Sequence, residues 1–248
     1  MIVYLLAAGY ATRLWPLTRD RAKPLLEVGG LPLLTHLVRR FEALQAVDEI
    51  VVIGNSRFAG DLSLWAAELD ARVRIQVLED GTHSEEDKLG ALGDLEFALK
   101  AIAPAGRDWV VAAGDNLIAF DLAPLYQRFE THHEPLIALR KVRPVAGPSP
   151  YNEVTLGDDH RVIGFREKPM DPQTELAAIA LYFMPAGFER NFDRYLQEGG
   201  ERDAPGHWIA WLVEHVSVRG FAFEGDWFDI GSHETLARAR AHFESTAE

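Results

Sequence analysis

Short apolar runs alternate with helix-spaced segments along the first half of the chain. Ile2–Leu6, residues 49–53, residues 73–78 and Trp109–Ala113 are rich in Val, Ile and Leu, the composition of strands buried on both faces. Between them, residues 34–44, 59–69 and 89–102 place apolar side chains at the i, i+3, i+4, i+7 positions of amphipathic helices. A βαβαβαβ order predicts an α/β fold built on a largely parallel, doubly wound sheet. The second half has a different texture. Residues 136–142, 152–156, Val162–Arg166 and residues 179–184 read as strands with fewer helices between them, which predicts a mixed extension of the sheet. Helical spacing resumes at 187–197, 208–215 and 234–243, with a further strand near 218–223. There is no internal repeat, low-complexity stretch or Gly/Ser linker. A seam is conceivable at 131–150, but the expected organisation is a single domain over 1–248, with halves meeting near residue 130.

One stretch breaks the pattern. Residues 7–32, which follow the first strand, contain Gly9, Pro16, Pro24, Gly29, Gly30 and Pro32 and show no periodicity. A connection that long without structure of its own is uncommon in a compact domain and is usually functional. In open α/β sheets, ligands bind beyond the carboxyl ends of the strands, which is where this loop begins.

Composition narrows the chemistry. With 248 residues, surface scaling leaves about 73% of the unfolded surface buried, so a full core is available without disulfides or metals. Cysteine is absent, which excludes a thiol nucleophile and Cys-ligated metal sites. A formal net charge of −13 argues against nucleic acid or anionic membranes as partners. No apolar run approaches a membrane span and the amino terminus lacks a signal-peptide pattern, so a cytoplasmic protein is expected. Residues 1–40, however, carry six cations against Asp20 and Glu27, a local balance of +4. That distribution suggests a focused site for a small anion, although clustering on a solvated face would look the same.

The loop itself reads Leu6-Ala7-Ala8-Gly9-Tyr10-Ala11-Thr12-Arg13-Leu14-Trp15-Pro16-Leu17-Thr18, then Lys23-Pro24-Leu25-Leu26. Small residues let backbone N–H groups approach a phosphate, while Arg13 and Lys23 offer a bidentate fork and a point charge. Neither a dinucleotide fingerprint nor a GxxxxGK[ST] loop is present. The run does resemble the signature of the sugar-phosphate nucleotidyltransferases, L-A-A-G-x-G-T-R-L-x-P-L-T-x-x-x-P-K-P-L-L, with Ala11 for the second glycine and Ala22 for the proline before Lys23. Further likenesses follow in order. Leu89-Gly90-Ala91-Leu92-Gly93 is similar to the family's L-G-T-A-G, Gly114-Asp115 to its G-D, Glu167-Lys168-Pro169 to its E-K-P, and Trp227-Phe228-Asp229-Ile230-Gly231 to its W-x-D-I-G. The resemblance runs from Ile2 to about Ala239.

It implies a Rossmann-like, three-layer α/β/α fold of the nucleotide-diphospho-sugar transferase type, with a nucleotide-binding first half and a sugar-phosphate-binding second half. It also implies a transfer from an NTP, dTTP or UTP first, to a sugar 1-phosphate such as glucose 1-phosphate. Arg13, Lys23 and Lys168 become the catalytic cations. Leu6, Ala8, Gly9, Gly90, Asp115, Asn152, Glu167 and Ala178 become substrate contacts, and Asp115 and Asp229 the ligands of Mg²⁺. Arg13, Lys23, Asp115, Lys168 and Asp229 are expected to act on two phosphorylated molecules and one divalent ion. Departures cluster on the sugar side: Tyr151-Asn152-Glu153-Val154 stands for Tyr-Gly-Val-Val, and Ala178-Ile179-Ala180 for N-A-G.

Of the chain's five lysines, Lys23 and Lys168 occupy the two motifs that need a cation, in a composition otherwise dominated by Arg. Each acidic residue also has a plainer reading, since Asp115 and Asp229 could cap the turns that follow them. His132-His133 lacks metal-ligand spacing. Two other functions compete. A binding or regulatory module could keep the pocket and lose turnover, and a glycosyltransferase would want a D-x-D motif that Asp115-Asn116-Leu117 does not supply. A homo-oligomer is possible, but nothing in the sequence identifies an interface. The acidic stretch 79–88 could be a lid or a solvated loop.

Overall fold

The computed structural model describes residues 1–142 and 147–245. In chain order the elements are β1 (Ile2–Leu6), two 3₁₀ turns (Thr12–Leu14 and Lys23–Leu25), β2 (Glu27–Val28), β3 (Leu31–Pro32), α1 (Leu33–Glu42), β4 (Glu49–Gly54), α2 (Ala59–Glu68) and β5 (Arg74–Glu79). There follow α3 (Ala91–Ala101), β6 (Trp109–Ala113), β7 (Asn116–Ile118), α4 (Ala123–His132), β8 (Leu136–Lys141), β9 (Glu153–Leu156), β10 (Val162–Arg166) and β11 (Leu176–Met184). The last are α5 (Glu189–Gln197), α6 (Pro205–His215), β12 (Arg219–Ala222), β13 (Trp227–Asp229) and α7 (His233–Ser245). The chain divides into two compact units. One comprises Met1–Leu89, Ala112–Leu122 and Gly225–Glu248, the other Gly90–Val111 and Ala123–Glu224.

In the first unit β1, β4 and β5 lie side by side and parallel, Ile2 opposite Glu49 and Glu49 opposite Arg74. β4 is buried along its whole length, as its Ile-Val-Val-Ile composition requires. In α1, Leu33, Leu34, Leu37, Val38 and Phe41 are fully buried and make a single apolar stripe. Because the strands are parallel, the loops after β1, β4 and β5 leave from one edge, and the site is built there. β7 pairs antiparallel with β13, so the chain returns to this unit after residue 225. In the second unit β11 runs antiparallel to β8 and β12 parallel to it, while β9 and β10 form a hairpin. The fold is the Rossmann-like α/β arrangement expected, with helices flanking mixed strands. Among the described residues no helix is long and apolar enough to cross a membrane.

Three expectations change. The stretch 7–32 is structured: it contains the two 3₁₀ turns and the β2–β3 hairpin, whose Gly29-Gly30 corner takes φ of 57° and 78°. Two-residue hairpin corners need left-handed backbone, so paired glycines serve there. α4 had no periodic signal because only Leu125 and Phe129 of its ten residues are buried. β11 begins at Leu176, before residue 179, because Leu176, Ala177 and Ala178 already pair with Lys141, Arg140 and Leu139 of β8, ahead of a register shift between Ala178 and Tyr182. The possible seam at 131–150 includes residues 143–146, which lie outside the described residues.

Candidate functional site

The first loop is held at its bends. Ala7 N–H donates to Ile53 O at 2.8 Å, extending the β1–β4 ladder. Asn55, the residue after β4, donates from Nδ2 to Ala8 O at 2.7 Å and accepts the Phe58 amide at 3.2 Å. Gly9 is exposed, with nothing within 4 Å of where a Cβ would stand, so its backbone is open to an incoming group. Tyr10 turns inward, its hydroxyl 3.1 Å from Thr82 Oγ1. Thr82 donates from its amide (2.7 Å) and hydroxyl (2.8 Å) to Asp80 Oδ1, which leaves Tyr10 as the donor to Thr82. Tyr10, Asp80 and Thr82 are all buried. Burial, reinforced by the charges of Asp80 and Asp87, raises the Tyr10 phenol, which stays protonated and able to donate. Ala11 adopts φ 51° with its carbonyl accepting the Thr18 hydroxyl at 2.8 Å, and the Thr12–Leu14 turn starts from there.

This network also places the acidic stretch 79–88. Its beginning is anchored by Asp80 and Thr82, and its remainder folds on itself, with Asp87 accepting the His83 (3.0 Å) and Ser84 (2.7 Å) amides.

Four of the expected charged residues assemble in the first unit through one apolar cluster. Leu14, Leu26, Leu117 and Ile230 belong to it, with Val28, Leu33, Leu236 and Ala239. Leu14 follows Arg13, Leu26 ends the Lys23 turn, Leu117 is two residues past Asp115, and Ile230 follows Asp229. Each charged side chain is thus attached to a buried anchor in a common core. The strand register then sets the carboxylates. Asp229 is opposite Asn116, and the Ile230 amide donates to Asp115 O at 3.2 Å. Lys23 Nζ is ion-paired with Asp115 Oδ2, both side chains being largely withdrawn from solvent. A Cβ added to Gly231 would stand 3.7 Å from Asp229 Oδ1 and 3.8 Å from Arg13 Nη2, so that glycine is the ground between them. Gly114 is required as well, since a Cβ there would meet Leu6 O at 2.8 Å. The result is two cations and two anions in one group, with Arg13 exposed.

Asp115 and Asp229 fit a hard divalent cation. The donors are carboxylate oxygens, one in the turn between β6 and β7 and one at the end of β13, without sulfur or imidazole. No group of three or more His, Cys, Asp or Glu side chains converges among the described residues. Such a site leaves coordination positions for water and substrate oxygens, which Mg²⁺ retains more readily than Ca²⁺ does.

The second unit holds the other expected residues in a different manner. Gly90, φ 78°, precedes α3, and a Cβ on it would be 2.5 Å from Arg202 O. The amides of Ala91 and Leu92 donate to Asp203 O (3.1 Å) and Arg202 O (2.9 Å). The first N–H groups of α3 are therefore occupied, and this helix end does not serve as a phosphate cradle. Glu167 is half-buried. Burial pushes its carboxyl above the ordinary glutamate value, opposed by Lys168 and His207. Lys168 is exposed and takes φ 42°, a conformation rare for a side-chain-bearing residue and one that clusters at functional positions.

Asn152 and Ala178 are joined to each other. The Asn152 amide donates to Ala178 O at 3.1 Å and accepts the Ala178 N–H at 2.6 Å, as a neighbouring strand would. Glu153 beside it is buried and accepts from Arg166 Nε at 2.7 Å. Burial works against its charge, but the Gln173 amide, Arg166 and the Thr174 amide hold it below the ordinary value. Ala180, where the family's motif has glycine, keeps a left-handed φ of 52°.

Asn55, Tyr10, Asp80 and Thr82 were missed by motif reading. Their one sequence signal is position: Asn55 directly follows β4, and Asp80 directly follows β5, at the ligand edge.

A model of the family described as nucleotidyl transferase matches residues 2–246. A mannose-1-phosphate guanylyltransferase of Mycobacterium tuberculosis is 30% identical, covering 95% of this chain and 62% of that protein. A glucose-1-phosphate thymidylyltransferase of Streptomyces antibioticus is 28% identical, covering 94% and 63%. The bifunctional protein GlmU of Methanocaldococcus jannaschii is also 28% identical, covering 93% and 51%. The chain therefore spans between about half and just under two-thirds of the length of these relatives. A solved structure of UDP-glucose pyrophosphorylase complexed with UDP-glucose has the same fold, with a TM-score of 0.80 at 17% identity over 99% of this chain and 98% of that one. Signature residues held by one core and a family match running almost end to end lead to one conclusion: the chain belongs to the nucleotidyl transferase family.

Proposed function

We propose that this protein transfers a nucleotidyl group from an NTP to a sugar 1-phosphate, forming an NDP-sugar and pyrophosphate. The observation that carries the reading is the assembly of Arg13, Lys23, Asp115 and Asp229 on one apolar cluster, at the far end of a loop whose backbone is open at Gly9. Arg13 binds the β- and γ-phosphates as a bidentate fork, and Lys23 the α-phosphoryl oxygens. The backbone at Leu6, Ala8 and Gly9 borders the nucleotide, and Gly90 borders its base. Lys168 takes the sugar phosphate and Glu167 a sugar hydroxyl, with Asn152 and Ala178 shaping the sugar's surroundings. A phosphate oxygen of the sugar 1-phosphate donates an electron pair to the α-phosphorus, forming the new P–O bond. The bond to the bridging oxygen breaks, and pyrophosphate leaves with its electron pair. The second pKa of a phosphate monoester is about 6, so the nucleophile is already ionised at neutral pH and no general base is required. Catalysis then consists of alignment and charge neutralisation. Mg²⁺, held by Asp115 and Asp229, would supply positive charge against the phosphate oxygens.

The Lys23–Asp115 pair has a functional consequence. With Asp115 engaged, the ammonium is held in a fixed place instead of swinging in solvent; once Lys23 turned to the phosphate oxygens, Asp115 would be left to hold Mg²⁺ with Asp229.

A panel settles the reading. NTPs, with dTTP and UTP first, are combined with sugar 1-phosphates, glucose 1-phosphate first, in Mg²⁺ buffer, and pyrophosphate release is followed. Release with at least one pair is expected. Nucleotide binding without release across the whole panel would replace the enzyme with a silent binding module.

A further inference from the structure

Gly206 is the second residue of α6, in a helical conformation that any residue can adopt. A glycine there weakens a helix relative to alanine by roughly 0.5–1 kcal/mol, and no turn or positive φ calls for it. Its surroundings explain it. Gly206 is buried, and a Cβ on it would overlap Glu167 Oε2 while standing 2.9 Å from Glu167 Cδ and 3.2 Å from the Phe165 ring. The carboxylate thus occupies the volume that a side chain at 206 would fill.

α6 cannot move aside to accommodate one. Trp208, two residues on, is fully buried, stacks on Trp109 with ring centroids 5.9 Å apart and meets the edge of Phe192 at 5.0 Å. Pro205 fixes the first turn, and the segment before it is tied to the α3 end, where Arg202 O and Asp203 O accept the Leu92 and Ala91 amides. Arg202 is also ion-paired with Glu96. Of the two groups that would collide, only the end of Glu167 is free to yield. Burial against this surface also accounts for the raised carboxyl of Glu167.

We propose that Gly206 is a specificity-determining positioning residue: by lacking a side chain it seats the Glu167 carboxylate against α6 and so sets the room left for the sugar. The inference rests on the proposed contact between Glu167 and the sugar. A methyl group at 206 displaces the carboxylate toward the space a sugar would take. The sugar 1-phosphate is then bound less well, and the nucleotide is unaffected.

The test is a double-mutant cycle of wild type, Gly206→Ala, Glu167→Ala and the double variant. For each, KM for the best sugar 1-phosphate of the panel is measured at saturating NTP, KM for the NTP at saturating sugar 1-phosphate, and the melting temperature alongside. Gly206→Ala is expected to raise the sugar 1-phosphate KM on the order of tenfold, as loss of one oriented contact does, and to leave the NTP KM unchanged. In the Glu167→Ala background it is expected to change neither KM and not to lower the melting temperature, because the collision is gone and alanine is the better helix former. If Glu167→Ala raises the sugar KM and Gly206→Ala does not, the seat is refuted and the sugar contact stands. An equal effect of Gly206→Ala in both backgrounds also refutes it. If Glu167→Ala leaves the sugar KM unchanged, the contact itself fails and the inference falls with it. A Gly206→Ala protein too unstable for kinetics is decided by melting alone, where recovery to at least the Glu167→Ala value in the double variant supports the seat and its absence overturns it.

Discussion

The residues assigned to the nucleotide and those assigned to the sugar are built to different standards. In the first unit every charged member has an opposite charge nearby and an apolar anchor within three residues, and the loop backbone is held by Asn55, Tyr10 and Thr18. In the second, Glu167 is half-buried with its charge disfavoured, Lys168 is exposed on a strained backbone, and Asn152 is spent on its neighbouring strand. Phosphate groups are the same on every nucleotide, so fixed cations and a rigid loop lose nothing. Sugars differ in hydroxyl placement, and a carboxylate seated by the absence of a side chain can be moved by a single substitution elsewhere.

The largest effect belongs to the rigid end. Asp115→Asn and Asp229→Asn should each lower pyrophosphate release by about 10²-fold or more, the scale of losing one electrostatic partner of a transition state. Initial rates at saturating substrate and metal measure it. Activity within a few-fold of wild type would break the assignment of these two carboxylates.

Next is the support behind the loop. Tyr10→Phe leaves Thr82 without its donor and should cost about 1–2 kcal/mol of stability, with a rise in NTP KM and none in sugar 1-phosphate KM. Denaturant melts and the two KM values together distinguish this from general loosening, which would move both constants.

Ala11 and Ala180 carry left-handed backbone where the family's motifs have glycine. The left-handed conformation costs an L-residue roughly 1–2 kcal/mol, and glycine returns roughly half of that as unfolded-state entropy. Ala11→Gly and Ala180→Gly should therefore each stabilise by about 0.5–1 kcal/mol, a rise in melting midpoint. A fall at either position would mean that the alanine methyl contributes packing that outweighs the strain.

The smallest effect is a pH dependence at the sugar end. Glu167 has a folded-state pKa raised above the ordinary 4.5. The folded protein thus holds this proton more tightly than the unfolded chain, and the charged form is a burden at neutral pH that disappears as pH falls below the unfolded value. Glu167→Gln should be more stable than wild type at pH 7 to 8, with the gap closing toward pH 4.5. Thermal melts across that range test it, and a gap that widens on acidification would reverse the sign.

Much of this architecture is visible as pattern. β1, β6 and β10 have the boundaries that their apolar runs indicate, and Arg13, Lys23, Asp115 and Asp229 are picked out by motif. Strands buried on both faces announce themselves because each residue in them must be apolar, and a phosphate loop because few residue types fit it. α4, with two buried residues in ten, and the short β7 and β13 leave no such trace. Glu153 looks like a departure in a sugar motif, yet it proves to be a structural anchor for Arg166 and the loop at Gln173 and Thr174.

What the sequence by itself determined is the order of the long buried strands and amphipathic helices, the family, and which charged residues stand in its motifs, since those depend on local composition and on spacing along the chain. Only the tertiary structure decided that Lys23 pairs with Asp115 across 92 positions, that Tyr10 hangs from Thr82 across 72, and that Gly206 makes room for Glu167. A contact between distant residues constrains the pair jointly, through volume and hydrogen-bond geometry, and leaves each residue type ordinary when it is read alone.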